Sequence, residues 1–425
     1  MVVNIGLIGI GTIGSGVVRI LKKNGKLIEK RSGVKLNLAK VCDKDHSNVK
    51  KLGLNKKILT RNINDVLNDK SIDIVIELIG GYEPARTFIL KAMNKGKHVV
   101  TANKAVIARY GQELFKAAEK NNVNLLFEAS VGGCIPILRA LQQSYIAENI
   151  NSIYGILNGT TNYILTRMNE GMSYAEALKK AQKLGFAEAN PAFDVEGKDA
   201  AQKLVILSSL AFNSRIKDDI FTWGITKISK SDLTFARELG YTIKLLGIAK
   251  KDNGKIELRV HPTMIPVRHE LASVKNELNA VYIVGENIGK AMLYGKGAGQ
   301  LPTATVVLGD VVDIAKRISK KLVVKPLNYF GNLKLKSIDN IRSRYYLRYS
   351  AVDKPGVLAK ISGILGKHKI SIAGVWQMEV NKNVVPLIMT THEALERDMQ
   401  KAIKEINKLD VIKDKTIVIR VEDIG

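Results

Sequence analysis

The run LGFAEANPAFDVEGKDAAQKL, residues 184–204, sets Glu188, Asp194, Glu196 and Asp199 beside Lys198 and Lys203, just ahead of an apolar, helix-forming segment. Pro191 and the small residues before it make Glu188 a loop residue. Asp199 and Lys203 are four residues apart in a predicted helix, KDAAQKLVILSSLAF, and so share one face. Ala200, Ala201, Leu204, Val205 and Leu207 make much of that helix apolar, so the face is not simply solvent. A partly buried lysine beside a carboxylate has an amine tuned for proton transfer. On spacing alone, an exposed ion pair worth roughly 0.3 kcal/mol is the commoner outcome. The surrounding chain must decide between them.

A second chemistry-bearing pattern lies in VNIGLIGIGTIGSGVVRIL, near the N-terminus. An apolar run suited to a buried parallel strand leads into Gly9, Gly11 and Gly14 in G-x-G-x-x-G spacing, with Thr12 and Ile13 between them, and then a helical pattern. Such glycines serve a tight turn, backbone approach to a pyrophosphate, and close helix–strand packing. The phosphate sits on the free N–H groups at the helix N-terminus. The next strand, KLNLAKVCD, ends in Asp43, an acid placed to bond a ribose 2′-hydroxyl and so to favour NAD, but Lys40 and Lys44 flank it and leave NAD against NADP open. Further strand and helix units follow: SIDIVIELIGG, EPARTFILKAMNKG, then KHVVTANKAVIA as a strand and a loop. This alternation predicts a Rossmann-type doubly wound parallel sheet, with Gly80, Gly81 and the TANK loop at its ligand-binding end.

The 425 residues predict two or three domains, and 46% hydrophobic with 25% charged residues is a globular composition. No apolar run reaches the roughly 18 residues of a membrane span, and MVVNIGLIGIGTIG lacks a basic leader region. Two cysteines, Cys42 and Cys134, exclude a disulfide framework, and the reducing cytoplasm is the expected compartment. A net charge of +26 is the footprint of nucleic-acid binding, yet the lysines are scattered singly or in pairs without arginine tracts or stacking aromatics. The reading is a basic surface, with no nucleic-acid or membrane partner. The six histidines share no ligand spacing.

Taken in order, GTIGSGV, ELIGGYEPA, HVVTANKAVIA, FEASVGGCIPIL, GILNGTTNYIL, GFAEANPAFDVEGKDAAQKL and GKGAGQLPTATVVLGD resemble homoserine dehydrogenase over nearly the whole chain. The resemblance implies NAD(P)H-dependent interconversion of aspartate 4-semialdehyde and homoserine, on the branch to threonine and methionine. That reaction moves a hydride at the hydroxyl-bearing carbon and a proton at its oxygen, so it needs an acid/base within hydrogen-bond reach. The resemblance makes Lys203 the proton donor with Asp199 beside it, Lys104 a second lysine between nicotinamide and substrate, and Glu188 the ligand of the substrate amino group. Gly185 matches a backbone position near substrate, Gly80 and Gly299 positions near cofactor, and Asp194 a supporting acid. FEASVGGCIPIL resembles the family's monovalent cation loop, with Glu128 and the carbonyls of Val131, Gly133 and Ile135 as Na+ ligands; Cys134 stands where Gly or Ala is commoner. GILNGTTNYIL reads as a strand and a helix start capped by Thr160 or Thr161, walling the site.

The implied organisation is a cofactor domain at 1–134 and an α+β substrate and dimerisation domain at 135–321, whose segment 298–318 returns to the cofactor domain. Within 135–321, helices are expected near 136–148, 173–184 and 198–212. A linker at 322–344 and a C-terminal module at 345–425 follow. The last shows a βαββαβ, ferredoxin-like order, and DKPGVLAKISGIL resembles the ACT domain, whose ligand turn would hold Asp353 and Gly356. Trp376 and Met378 read as core of that module. Threonine is the implied effector, and a homodimer or homotetramer the implied assembly. Two other readings stand beside this one. A different Rossmann oxidoreductase of a related semialdehyde is weakened because Cys134, as a nucleophile, has no evident histidine base. A basic nucleic-acid or amino-acid sensor with a vestigial dinucleotide fold would be retained on DNA in a salt-dependent way.

Overall fold

In the computed structural model the first apolar run, Val2–Ile8, is an inner strand of a six-stranded parallel sheet. The order is Leu59–Thr60, Lys35–Cys42, Val2–Ile8, Ile74–Glu77, His98–Thr101, Leu125–Leu126. Val3, Ile5, Leu7, Ile74 and Ile76 are fully buried, as expected of a sheet covered on both faces. The structure describes residues 1–47, 49–216, 219–322, 331–377 and 383–424, which fall into two compact units. The first is Met1–Asn151, Gln202–Asp219 and Asn279–Leu333; the second is Ser152–Ala201, Ile220–Leu278 and Lys334–Gly425.

Within the first unit, helix Gln300–Ser319 buries Ala304, Val307, Val311 and Ile314 in the same core as Val3, Ile5, Val17 and Val18. The approach to helix Thr12–Ser32 is close: a Cβ on Gly16 would sit 2.6 Å from the Gln300 carbonyl oxygen.

The second unit holds a mixed sheet. Ile150–Ile156 pairs with Tyr241–Asp252, which forms a long hairpin with Lys255–Pro266. The hairpin turns at Asn253 (φ 46°) and Gly254 (φ 76°), the Asn-Gly pair suited to two left-handed residues. Lys255–Pro266 then pairs parallel with Ile417–Val421, the last strand of the C-terminal module. Arg342–Val352, Val384–Thr391 and Ile372–Gln377 follow in that order, all antiparallel, and helices Val357–Lys367 and Glu396–Ile406 add Ile361, Leu365, Met399 and Ile403 to its core. A Rossmann sheet, a mixed sheet and an ACT-type module are therefore present, as expected.

Several local expectations change. Lys104 is not in a loop: it opens helix Lys104–Lys120, because Asn103 accepts from Val106 N and caps it. The helix after Leu157 is capped by Asn158, whose Oδ1 accepts from Thr161 N at 2.8 Å, rather than by either threonine. The helix expected near 136–148 is short, Ile137–Arg139, followed by a wider turn at Ala140–Ser144. Part of the expected linker, 323–330, lies outside the described residues; Lys334–Leu335 pairs with Lys255–Ile256, and the first strand of the C-terminal module begins at Arg342. Trp376 is 42% exposed on an end strand and not core, while Met378 lies outside the described residues. Among the described residues no helix is long and apolar enough to cross a membrane.

Candidate active site

The Gly-rich turn is built for a phosphate. Gly9 has φ 97°, closed to most side chains, and a Cβ on Gly14 would lie 2.0 Å from the Gly9 carbonyl oxygen. A Cβ on Gly11, by contrast, would meet nothing within 4 Å. The protein's own packing does not demand a glycine there, and the space around it is open to a ligand. Helix Thr12–Ser32 begins at Gly11 with no side-chain cap and no acid in its first turn, so its N–H groups face a cavity of about 190 Å³. Thr12, Ser15, Arg19, Lys51 and Gln300 line it. These residues fit a dinucleotide pyrophosphate. Asp43 is tied to the turn: one carboxylate oxygen accepts from Ile10 N at 2.6 Å, the other from Asp45 N at 2.9 Å.

Lys104 is positioned by a wired pair of loops. Glu77 ends an otherwise apolar strand, is fully buried, and accepts from Ile79 N (2.8 Å), Gly80 N (3.3 Å) and the Thr101 hydroxyl (2.7 Å). Burial holds its carboxyl above the usual range against those bonds. Asn103 donates to the Gly81 carbonyl at 2.8 Å, which joins the ELIGG loop to the start of the Lys104 helix. Sequence reasoning passed over Glu77; its signal was an acid closing the run IDIVIE. Gly299 (φ 134°) starts helix Gln300–Ser319 in the same unit.

In the second unit, Asp199 is buried, 4% exposed, and accepts from Asn158 Nδ2 at 2.8 Å. The same amide donates to Asp194 at 2.7 Å, so one asparagine bridges two carboxylates. Thr160 donates to the Phe186 carbonyl (2.5 Å), tying this wall to the loop that leaves helix Tyr174–Lys183. Gly185 (φ 77°) ends that helix, and Gln182 Nε2 donates to the Glu188 carbonyl at 3.1 Å, leaving the Glu188 side chain exposed. Lys203, one turn beyond Asp199 on helix Lys198–Ala211, belongs to the first unit and is half-buried. Lys198 pairs with Glu196 on the exposed side, at 2.5 Å.

In the loop expected to hold a cation, the acid is hydrogen-bonded to main chain. Both Glu128 carboxylate oxygens are committed to backbone, accepting from Leu138 N (2.9 Å) and Arg139 N (2.6 Å), and the Ile135 carbonyl accepts from Ile137 N. Cys134 fits its place by donating to the Lys296 carbonyl at 3.1 Å, and Gly133 packs directly on Gly297. Burial, and next the charge of Asp310, push Glu128 up to about 7; burial pushes Asp310 up to about 6. A raised carboxyl means that the native state keeps a proton the unfolded chain releases, so this stability is present at low pH and lost as pH rises through the folded value. Relative to Glu128→Gln, the native chain should therefore lose roughly 1–3 kcal/mol between about pH 4.5 and 7. Urea titrations of both proteins across that range check this; parallel curves would exclude it.

Comparison with known proteins now adds what the geometry leaves open. The homoserine dehydrogenase model matches residues 136–312, the homoserine dehydrogenase NAD-binding domain model 9–128, and the ACT domain model 345–411. The chain is 40% identical over 430 residues to homoserine dehydrogenase of Bacillus subtilis, covering 100% of this chain and 99% of that one. The chain belongs to the homoserine dehydrogenase family. It is an NAD(P)-dependent oxidoreductase of that family with a C-terminal ACT domain. Among solved structures, a homoserine dehydrogenase from Thiobacillus denitrificans superposes with a TM-score of 0.94 at 41% identity, covering 100% of this chain and 99% of that one. A hyperthermophilic archaeal homoserine dehydrogenase in complex with NADPH superposes at 0.65 with 26% identity, over 77% of this chain and 100% of that one.

Proposed function

We propose that this family member carries its chemistry on Lys203, Asp199 and Lys104, and holds substrate through Glu188, Gly185 and the Asn158-bridged acids. The observation that carries the reading is the burial of Asp199 one helical turn from half-buried Lys203. NAD(P), when bound, accepts or returns the hydride. Lys203 passes the proton at the substrate oxygen, in the direction the hydride requires. Asp199, buried and fixed by Asn158, lies one helical turn before Lys203 on the same face. Glu188, on its exposed loop, accepts from the substrate ammonium. Lys104 acts as the second lysine of the reaction, and Gly9, Gly11, Thr12, Ile13, Gly14, Gly80 and Gly299 provide close backbone approach to the cofactor.

Arg19 and Lys51 line the phosphate cavity and add positive charge toward the pyrophosphate that NAD and NADP share. Threonine is the proposed effector of the ACT module, at the turn of Asp353 and Gly356, and a cytoplasmic homodimer or homotetramer the proposed assembly. A monovalent cation such as Na+, where bound, takes a structural role on the Val131, Gly133 and Ile135 carbonyls. Homoserine oxidation followed at 340 nm tests the reading, with NADP or NAD and with or without threonine. Turnover is expected with NAD or NADP, and a lower rate with threonine. No homoserine-dependent reduction of either cofactor would overturn it.

A further inference from the structure

Within the second unit, the C-terminal module meets the substrate-domain sheet through buried charge. Arg420, 1% exposed on strand Ile417–Val421, donates to Glu396 at 2.5 and 2.8 Å. Its guanidinium also lies 4.8 Å from the centre of the Phe221 ring. Next to it, fully buried Arg259 donates to Glu257 (2.8 Å) and Glu422 (2.5 Å), and Lys250 adds a bond to Glu422 at 2.7 Å. His261 lies 2.7 Å from Arg259, and burial with the neighbouring arginines drives its pKa well below the ordinary histidine value, so the neutral ring accepts from Arg259. Each of these charges has a partner, and removing one would strand another in the interior.

Phe221 carries this seam onward. Strand Phe221–Thr222 pairs with Arg259 and Val260, and Trp223 N donates to the Val260 carbonyl at 2.8 Å. Two residues later, Ile225 N donates to the Val195 carbonyl, also at 2.8 Å. Gly224 lies so close that a Cβ would fall 1.9 Å from the Val195 oxygen. A Cβ on Gly197 would likewise meet Thr222 at 3.1 Å and Val260 at 3.3 Å. Val195–Gly197 is the short connection between Asp194 and the helix that begins one residue before Asp199. The path from Arg420 to the two bridged carboxylates is therefore continuous and close-packed, with no flexible side chain in its second half.

We propose that Arg420 and Phe221 are positioning residues for the substrate-side acids: they hold the segment Trp223–Ile225 against Val195–Gly197 and so set Asp194 and Asp199. This rests on the assignment of those acids to homoserine recognition. The test uses the full-length chain with Phe221→Leu, Arg420→Lys and Gly224→Ala, reading KM for homoserine and for NADP separately, alongside thermal unfolding. A five- to twenty-fold rise in homoserine KM, with NADP KM within twofold, is expected in Phe221→Leu and Gly224→Ala, and a smaller rise in Arg420→Lys, which keeps the charge but not the planar stack. Homoserine KM within twofold of the parent in every folded variant would overturn the inference. Asp199→Asn separates the two claims. If it raises homoserine KM while the seam variants do not, only the seam fails; if it too changes nothing, the site assignment falls and the seam with it.

Discussion

Replacing Lys203 with alanine is expected to lower kcat for homoserine oxidation by roughly 10²–10⁴-fold, the usual span for a lost acid/base. NADP(H) affinity, read by fluorescence of the bound nicotinamide, should stay within about twofold, because the phosphate turn at Gly9–Gly14 is built without Lys203. The helix should survive the change: alanine is the better helix former, and Leu204, Val205 and Leu207 keep their buried places. A variant that retains parental turnover would remove Lys203 from the chemistry. One that loses cofactor affinity in proportion would make it a structural residue instead.

The second large effect is expected at Asn158. Its amide donates to both Asp194 and Asp199, and its Oδ1 caps the following helix. Asn158→Ala removes both charge-assisted bonds, worth about 1.5–3 kcal/mol each, and leaves two acids facing each other without a shared donor. We expect kcat/KM for homoserine to fall roughly 10–100-fold, with a modest loss of stability from the cap, about 1 kcal/mol. Asn158→Ser restores the cap but not the bridge. It should recover stability and leave the kinetic defect; recovery of both together would show that the cap alone mattered.

These two residues differ in how far the sequence exposed them. Lys203 was visible through its spacing from Asp199, though spacing alone favoured a surface pair. Asn158 was hidden in GILNGTTNYIL, where a threonine was the natural cap, because nothing local says that residue 158 must face residues 194 and 199. Glu77 was missed for the same reason: its partners Thr101 and Gly80 come from a neighbouring strand and a following loop. The hairpin of Tyr241–Asp252 with Lys255–Pro266 has a local signal in the Asn253–Gly254 turn, but its length is set by the partners that flank it in the sheet.

Sequence by itself determined the parts governed by short-range physics. Gly9, Gly11 and Gly14 must turn, open and pack a strand into a helix; Asp199 and Lys203 must share a helical face; the apolar runs must alternate into a parallel sheet. The ordered set of motifs also determined the family. Only the tertiary structure decided which polar groups become partners. It gave Glu128 the backbone N–H groups of Leu138 and Arg139, gave both acids to Asn158, and carried Arg420 onto Phe221. The last two join residues far apart in the chain, and even the Glu128 bonds cross from one element to another. They arise because a buried donor or acceptor must find a partner wherever the packed elements bring one within hydrogen-bond reach.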